Sequence, residues 1–264
     1  MVLRAKKKYG QHFLQGAWAD KLVAAINPQP DERFIEIGPG PGALTLRLAP
    51  RVEHLTAIEL DADMVAALQR KLPGNVTLIH ADFLDVDLAS LGCERSCRVA
   101  GNLPYNVSSP ILFRLLDAHR LTGLVQDATL MLQREVADRM TASPGTGDYG
   151  VLSIFVQLHC DVQRLMTLPP GAFRPVPKVH SAVVQFRFRP PAVTLADARG
   201  FEAMVRSMFT QRRKTLLNAL RPYASLKRVE AGAALSSAGI DPGRRPETLQ
   251  LTELARLADY FASA

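Results

Sequence analysis

The sequence has few cysteines, few aromatics and no long apolar run, and each shortage excludes something. Three cysteines in 264 residues, at positions 93, 97 and 160, are too few for a disulfide framework and suit a reducing compartment. They make a poor metal site as well. Cys93 and Cys97 have no second pair, and Cys160 beside His159 does not complete a structural zinc spacing. No stretch approaches the ~18–20 uninterrupted apolar residues of a membrane-spanning helix. The basic start, Met1-Val2-Leu3-Arg4-Ala5-Lys6-Lys7-Lys8, runs into no apolar segment. The expectation is therefore no secretory signal, no membrane partner and a cytoplasmic location. With 47% apolar and 22% charged residues, the composition is that of a folded globular chain, long enough for one large α/β domain and a small second one.

Acidic charge is nearly missing from one stretch. Residues 199–228 carry Arg199, Arg206, Arg212, Arg213, Lys214, Arg221, Lys227 and Arg228 against a single Glu202, which accounts for the whole net charge of +7. Arg4, Lys6, Lys7 and Lys8 form a second basic cluster. Concentrated positive charge is the footprint of a polyanionic partner, most often nucleic acid; the alternative is a solvated helix face.

From Arg33 onward, short apolar runs alternate with amphipathic stretches. Strands are predicted at 33–38, 55–59, 76–80, 97–100 and 128–132, and helices at 43–48, 62–72, 110–119 and 134–142. This alternation indicates a parallel sheet with helices on both faces. Residues 162–166 and 182–188 read as an antiparallel pair joined by the proline-rich 168–178. After Arg189-Pro190-Pro191 the pattern is helical, at 201–209, 213–220, 229–237 and 251–261, which places a domain boundary near 190–195.

The first predicted strand ends in Glu36-Ile37-Gly38-Pro39-Gly40-Pro41-Gly42. Glycines at a strand-to-helix turn let the backbone approach a cofactor closely, but this spacing is not the Gly-x-Gly-x-x-Gly of dinucleotide binders. Glu59 ends the second strand, where a carboxylate can accept hydrogen bonds from both hydroxyls of a ribose. Asp82 and Phe83 follow the third, suited to an adenine amino group and its ring. Together the three features point to an adenosine-containing cofactor. After the fourth strand comes Asn102-Leu103-Pro104-Tyr105, which resembles the Asp/Asn-Pro-Pro-Tyr/Phe tetrapeptide of S-adenosylmethionine-dependent methyltransferases acting on exocyclic amino groups.

The chemistry suits that motif. An adenine N6 lone pair is delocalised into the ring, and acceptors at Asn102 Oδ1 and at the Leu103 or Pro104 carbonyl favour a pyramidal, nucleophilic nitrogen. Tyr105 can stack on a base drawn out of its helix. Phe173, in the stiff Phe173-Arg174-Pro175-Val176-Pro177 loop, offers an opposite stacking wall; its plainer reading is an aromatic packed on the core. His54, His80, His119 and His180, and Asp61, Asp63, Asp85 and Asp87, read as core, surface, helix-start and loop residues.

Taken together these segments resemble the small-subunit ribosomal RNA adenine N6,N6-dimethyltransferase family. The similarity spans essentially the whole chain, including Tyr9–Leu14, Leu132-Gln133-Arg134-Glu135-Val136, Phe173–Ser181, Gln211–Leu216 and Arg245-Pro246-Glu247-Thr248-Leu249. The resemblance implies a Rossmann-like class I methyltransferase sheet, α/β and mostly parallel, with seven strands of which the last is antiparallel, plus a small all-helical C-terminal domain. The implied domains are 1–191, with residues 1–30 as a basic arm and helix, and a helical RNA-binding 192–264.

The cofactor it implies is S-adenosylmethionine, leaving as S-adenosylhomocysteine, held by Gln11, His12, Leu14, Gly38, Gly40, Glu59, Asp82, Phe83 and Asn102. The target base is implied at Asn102, Leu103, Pro104, Tyr105 and Phe173. Some relatives carry Asn where this chain has His12, which can still hydrogen-bond the methionine end. Arg212, Arg213, Lys214, Arg221, Lys6, Lys7 and Lys8 become RNA contacts. The implied partner is small-subunit rRNA in an assembling subunit, met by a monomer, with dimethylation of two adjacent adenosines in the 3′-terminal hairpin. Two other readings stay open: a large-subunit rRNA adenine methyltransferase of the macrolide-resistance type, and a non-catalytic ribosome-assembly factor.

Overall fold

The computed structural model describes residues 5–6, 9–91, 96–104 and 107–263. They fall into two compact units, one containing the chain up to Ala137 together with Asp161–Phe188, the other Asp138–Cys160 together with the chain from Arg189 onward.

In the first unit, β1 (Phe13–Leu14) leads into α1 (Gly16–Ile26), followed by β2 (Arg33–Ile37), α2 (Thr45–Leu48), β3 (His54–Glu59), α3 (Ala62–Leu68), β4 (Val76–His80), β5 (Cys97–Asn102), α4 (Ser108–Thr122) and β6 (Val125–Gln133). After α5 (Arg134–Thr141) and α6 (Val151–His159), the chain returns as β7 (Cys160–Leu168), β8 (Phe173–Arg174) and β9 (Ser181–Phe188). Seven strands form one sheet in the order β4-β3-β2-β5-β6-β9-β7. The pairs within β4 to β6 are parallel, and β9 runs antiparallel to β6.

The sequence explains the layering. β2, β5 and β6 carry Phe34, Ile35, Ile37, Val99, Ala100, Ala128 and Leu130–Leu132, all buried, the near-continuous apolar runs of strands covered on both faces. β4 at the sheet edge has only partly buried and exposed positions. α1 buries Ala19, Leu22, Val23 and Ile26, one helical stripe turned to the core.

The register brings Ile37 opposite both Ile58 and Gly101. The chain therefore leaves β2, β3 and β5 side by side, and between β2 and β5 the strand order reverses. In open α/β sheets ligands bind in the crevice at such a switch point. At the opposite ends of the strands Arg98 bonds Asp127 Oδ1 at 2.9 Å, Glu32 Oε2 at 2.9 Å and the Ile26 carbonyl at 3.0 Å.

The second unit contains α6, α7 (Ala198–Thr210), α8 (Leu216–Leu226), α9 (Ala231–Ser237) and α10 (Leu251–Ser263). Phe201, Met204, Val205 and Met208 of α7 are buried with Leu254, Leu257 and Phe261 of α10. Tyr223 meets Phe261 edge-on, with ring centroids 5.1 Å apart.

Three expectations need correction. The helix predicted at 213–220 begins at Leu216 and runs to Leu226, because residues 211–214 form a turn in which Lys214 N–H bonds Gln211 O. Helix α6 has no counterpart among the predicted helices. It is buried on most sides, so its run of apolar residues lacks the one-sided period that marks a helix.

The division at 191/192 likewise omits 138–160, which belongs with the C-terminal helices. Gln157 Nε2 bonds the carbonyls of Met140 and Ala142, and the Arg189 guanidinium bonds those of Gln157 and Leu158. These contacts fasten the segment within the second unit, although composition does not change along it.

Candidate active site

Gly38 and Gly40, in the turn after β2, have φ of 68° and 53°, a left-handed backbone that glycine adopts without strain. A Cβ at Gly40 would stand 3.3 Å from the Phe13 ring. The turn points its Gly40 N–H at Glu59 Oε2 (2.9 Å), and Asp61 N–H donates to Glu59 Oε1 (2.8 Å). Glu59 is 6% exposed, yet each carboxylate oxygen keeps a further lone pair for vicinal hydroxyls. Burial pushes its pKa up, and the main-chain N–H groups of Asp61 and Gly40 pull it back in part. Glu36, 2% exposed, is pushed up to about 8 by burial first, tempered by Thr45 and reinforced by the Glu59 charge.

Asp82 accepts the Leu84 N–H at 2.9 Å, an Asx-type bond that fixes its side chain beside the buried Phe83. Gly101 brings β5 close to β2, and a Cβ there would meet Ile37 O at 2.8 Å. Immediately beyond, Asn102 Nδ2 donates to the main-chain carbonyl of His12 at 2.7 Å. The amide nitrogen is thereby committed to protein, and Oδ1 remains as the acceptor.

These groups line one cavity of about 270 Å³ whose walls include Gln11, His12, Leu14, Gly38, Gly40, Glu59, Asp82, Phe83, Asn102, Leu103 and Pro104. Every residue expected at the cofactor is among them, as are three of those expected at the base. Tyr105 lies outside the described residues. Leu60, Ile111 and Met131 also line the cavity; their apolar side chains carry no polar signature that marks them in the sequence.

Other expectations are redirected. Phe173 is 0% exposed and belongs to the core around α1 with Leu22, Phe34 and Leu48. It is not a cavity wall, because the pairing of Leu14 with Phe173 in β1 and β8 draws it inward, so the plainer reading holds. Gln11 lines the cavity, but its side-chain amide bonds Asp61 Oδ2 and the Lys6 N–H. The His12 imidazole meets the Pro175 carbonyl at 2.8 Å. Lys6 pairs with Asp61 and Asp63, both at 2.6 Å, which neutralises a charge expected to face RNA. Lys7 and Lys8 lie outside the described residues.

In the helical unit Arg212 turns inward to the carbonyls of Thr146 and Gly147 and toward Glu247. Arg213, Lys214 and Arg221 are exposed.

Known proteins decide between the chemistries such a cavity permits. The profile of the family described as ribosomal RNA adenine dimethylase matches residues 2–263. The chain belongs to that family. A ribosomal RNA small subunit methyltransferase A from Geobacter metallireducens is 46% identical over 265 residues, covering 97% of this chain and 95% of that protein. One of the same name from Pseudomonas fluorescens is 45% identical, covering 98% and 94%. Among solved structures, a dimethyladenosine transferase from Plasmodium falciparum shares the fold with a TM-score of 0.80, 23% identity and coverage of 96% of this chain and 98% of that one. The 23S rRNA methyltransferase ErmE aligns with a TM-score of 0.71, 28% identity and coverage of 95% and 99%.

This family of rRNA adenine dimethylases uses S-adenosylmethionine. The residues present fit that cofactor. The glycine turn leaves a cradle that a side chain would fill, Glu59 offers a fixed carboxylate to a ribose, and Asp82 with Phe83 offers an acceptor and an apolar surface to an adenine.

Proposed function

We propose that this protein dimethylates N6 of two adjacent adenosines in the 3′-terminal hairpin of small-subunit rRNA, in the cytoplasm, on an assembling subunit, and that it acts as a monomer. The observation that carries the reading is the Asn102–His12 hydrogen bond in the wall of the glycine–Glu59 cavity. It supports a role for Asn102 Oδ1 as acceptor of an amino proton. With the proton so held, the nitrogen lone pair is freed from the ring, and the positive charge that builds on nitrogen meets a fixed dipole. No strong base is required.

Glu59, Asp82 and the Gly38–Gly40 turn orient the cofactor, whose contribution is an electrophilic methyl group. Holding nitrogen and methyl in near-attack geometry supplies much of the remaining acceleration. Tyr105 is assigned to stacking on the extruded base.

Arg213, Lys214 and Arg221 would follow the RNA backbone, with recognition by shape and phosphate rather than by base edges. The 45–46% identity to small-subunit methyltransferases, against 28% to a large-subunit enzyme, favours the small subunit.

The test is labelled methyl transfer to undermethylated small subunits and to unmodified large-subunit RNA, with digestion and mass analysis of the products. N6,N6-dimethyladenosine at two adjacent small-subunit positions is the expected result. Transfer only to large-subunit RNA would reassign the substrate, and cofactor binding without transfer to either would make the chain a binding factor.

A further inference from the structure

Asp61 starts α3 and accepts the Asp63 N–H at 3.1 Å, as a helix cap does. Its carboxylate, whose side chain is 1% exposed, does more than cap. Oδ1 also takes Lys6 Nζ at 2.6 Å and Oδ2 takes Gln11 Nε2 at 3.0 Å. The other end of the Gln11 amide accepts the Lys6 N–H at 2.8 Å, so Gln11 is fixed at both ends. The next residue is His12, whose carbonyl holds Asn102 Nδ2. The main-chain N–H of Asp61 meanwhile bonds Glu59 Oε1 at 2.8 Å. One buried carboxylate is thus linked on one side to the residue suited to the ribose, and on the other to the residue suited to the reacting nitrogen.

Burial pushes the Asp61 pKa up, but the Lys6 and Gln11 hydrogen bonds outweigh it and hold the group below the usual carboxylate range. Lys6 is held above its ordinary value by Asp61 and Asp63. The contact therefore stays ionised throughout the neutral range.

We propose that Asp61 is a positioning residue for methyl transfer: by clamping Lys6 and Gln11 it fixes the segment whose His12 carbonyl orients the Asn102 amide, and the same clamp keeps that segment as a wall of the cofactor cavity. Asn102 works only with Oδ1 toward the substrate amino group, because a flipped amide would set N–H against N–H. A carbonyl accepts from Nδ2 but not from Oδ1, so the His12 carbonyl selects the productive orientation for as long as it stays in place. Tyr9–Leu14 line the cavity, so loosening them also opens a route for the cofactor. The inference rests on the function proposed above.

The test uses the full chain carrying Asp61→Asn or Lys6→Met. Asparagine keeps the capping acceptor, and Lys6 is surface-placed, so both variants are expected to fold. For each, kcat should fall about tenfold with the KM for RNA little changed, since displacement of a positioning group acts on the transition-state geometry. S-adenosylhomocysteine should dissociate several-fold faster, and main-chain amides within 9–14 should exchange hydrogen faster, with the melting temperature close to that of the parent. The double variant should be no slower than Asp61→Asn alone, because both changes break one contact.

Parental kcat in both variants would overturn the proposal, as would losses that add in the double variant, unchanged exchange in 9–14, or a kcat loss confined to an Asp61→Asn protein of lowered melting temperature. Exchange and dissociation are read without RNA. A parent that methylates no rRNA would therefore sink the functional reading while leaving the clamp measurable.

Discussion

Asn102 and His12, 90 positions apart, are joined by a hydrogen bond of 2.7 Å from side-chain amide to main-chain carbonyl. Asn102→Ala removes the acceptor and should lower kcat by about 10²–10³-fold, the usual cost of losing one oriented polar group at a reacting centre. Cofactor affinity should change little, because Glu59, Asp82 and the glycine turn remain. Asn102→Asp keeps acceptors but sets a carboxylate against the His12 carbonyl, and it should do no better. Single-turnover transfer together with calorimetry of cofactor binding checks both, and an alanine variant at full speed would remove Asn102 from the chemistry.

Glu36 makes stability depend on pH. Its pKa is about 8 in the folded protein and near the ordinary carboxylate value of ~4.3 when unfolded. Between these values the folded state binds the extra proton, so stability falls as pH rises through that window and levels off above it. Comparison with Glu36→Gln isolates the effect. The variant should gain on the parent by about 3–5 kcal/mol between pH 4 and pH 9, read from denaturant unfolding of the cofactor-free protein. Parallel curves would mean that Glu36 ionises normally.

In the basic helical unit Arg213 and Lys214 face solvent, whereas Arg212 is engaged by protein carbonyls and Glu247. Reversing Arg213 and Lys214 to glutamate should weaken RNA binding and flatten its dependence on salt by about one counterion per lost cation. Arg212→Ala should instead lower the melting temperature, since it frees the carbonyls of Thr146 and Gly147. Binding titrations across salt concentrations and thermal melts separate the two roles.

Phe173→Ala should cost about 3–5 kcal/mol of stability through the cavity it leaves. What protein remains folded should keep its KM for RNA. A raised KM with unchanged stability would return Phe173 to the base site.

The parts of this protein that the sequence disclosed were those tied to local chemistry. A glycine turn, a carboxylate ending the next strand and Asn102-Leu103-Pro104 each declare themselves within a few residues, and a parallel sheet puts strand ends together whatever the loops do. Position 173 was ambiguous because an aromatic in a stiff loop looks alike whether it faces a ligand or the core; only the β1–β8 pairing decides. Asp61 looked like an ordinary helix start, and it is one. Its bonds to Lys6 and Gln11 cross 55 and 50 positions, a distance no local pattern spans. Lys6 and Arg212 resemble RNA contacts in the sequence for the same reason, because the carboxylates and carbonyls that occupy them come from elsewhere in the chain.

Arg98 ties Glu32, Asp127 and the end of α1 together at the amino ends of β2, β5 and β6, while the cavity occupies their carboxyl ends. Anchorage and chemistry thus sit at opposite ends of the same strands. Substitutions that reshape the cavity leave the ionic anchor untouched, and those that weaken the anchor leave the reacting groups in place. Such a scaffold can drift in substrate preference without first losing its fold, which makes the cavity end the place where new specificities are most cheaply tried.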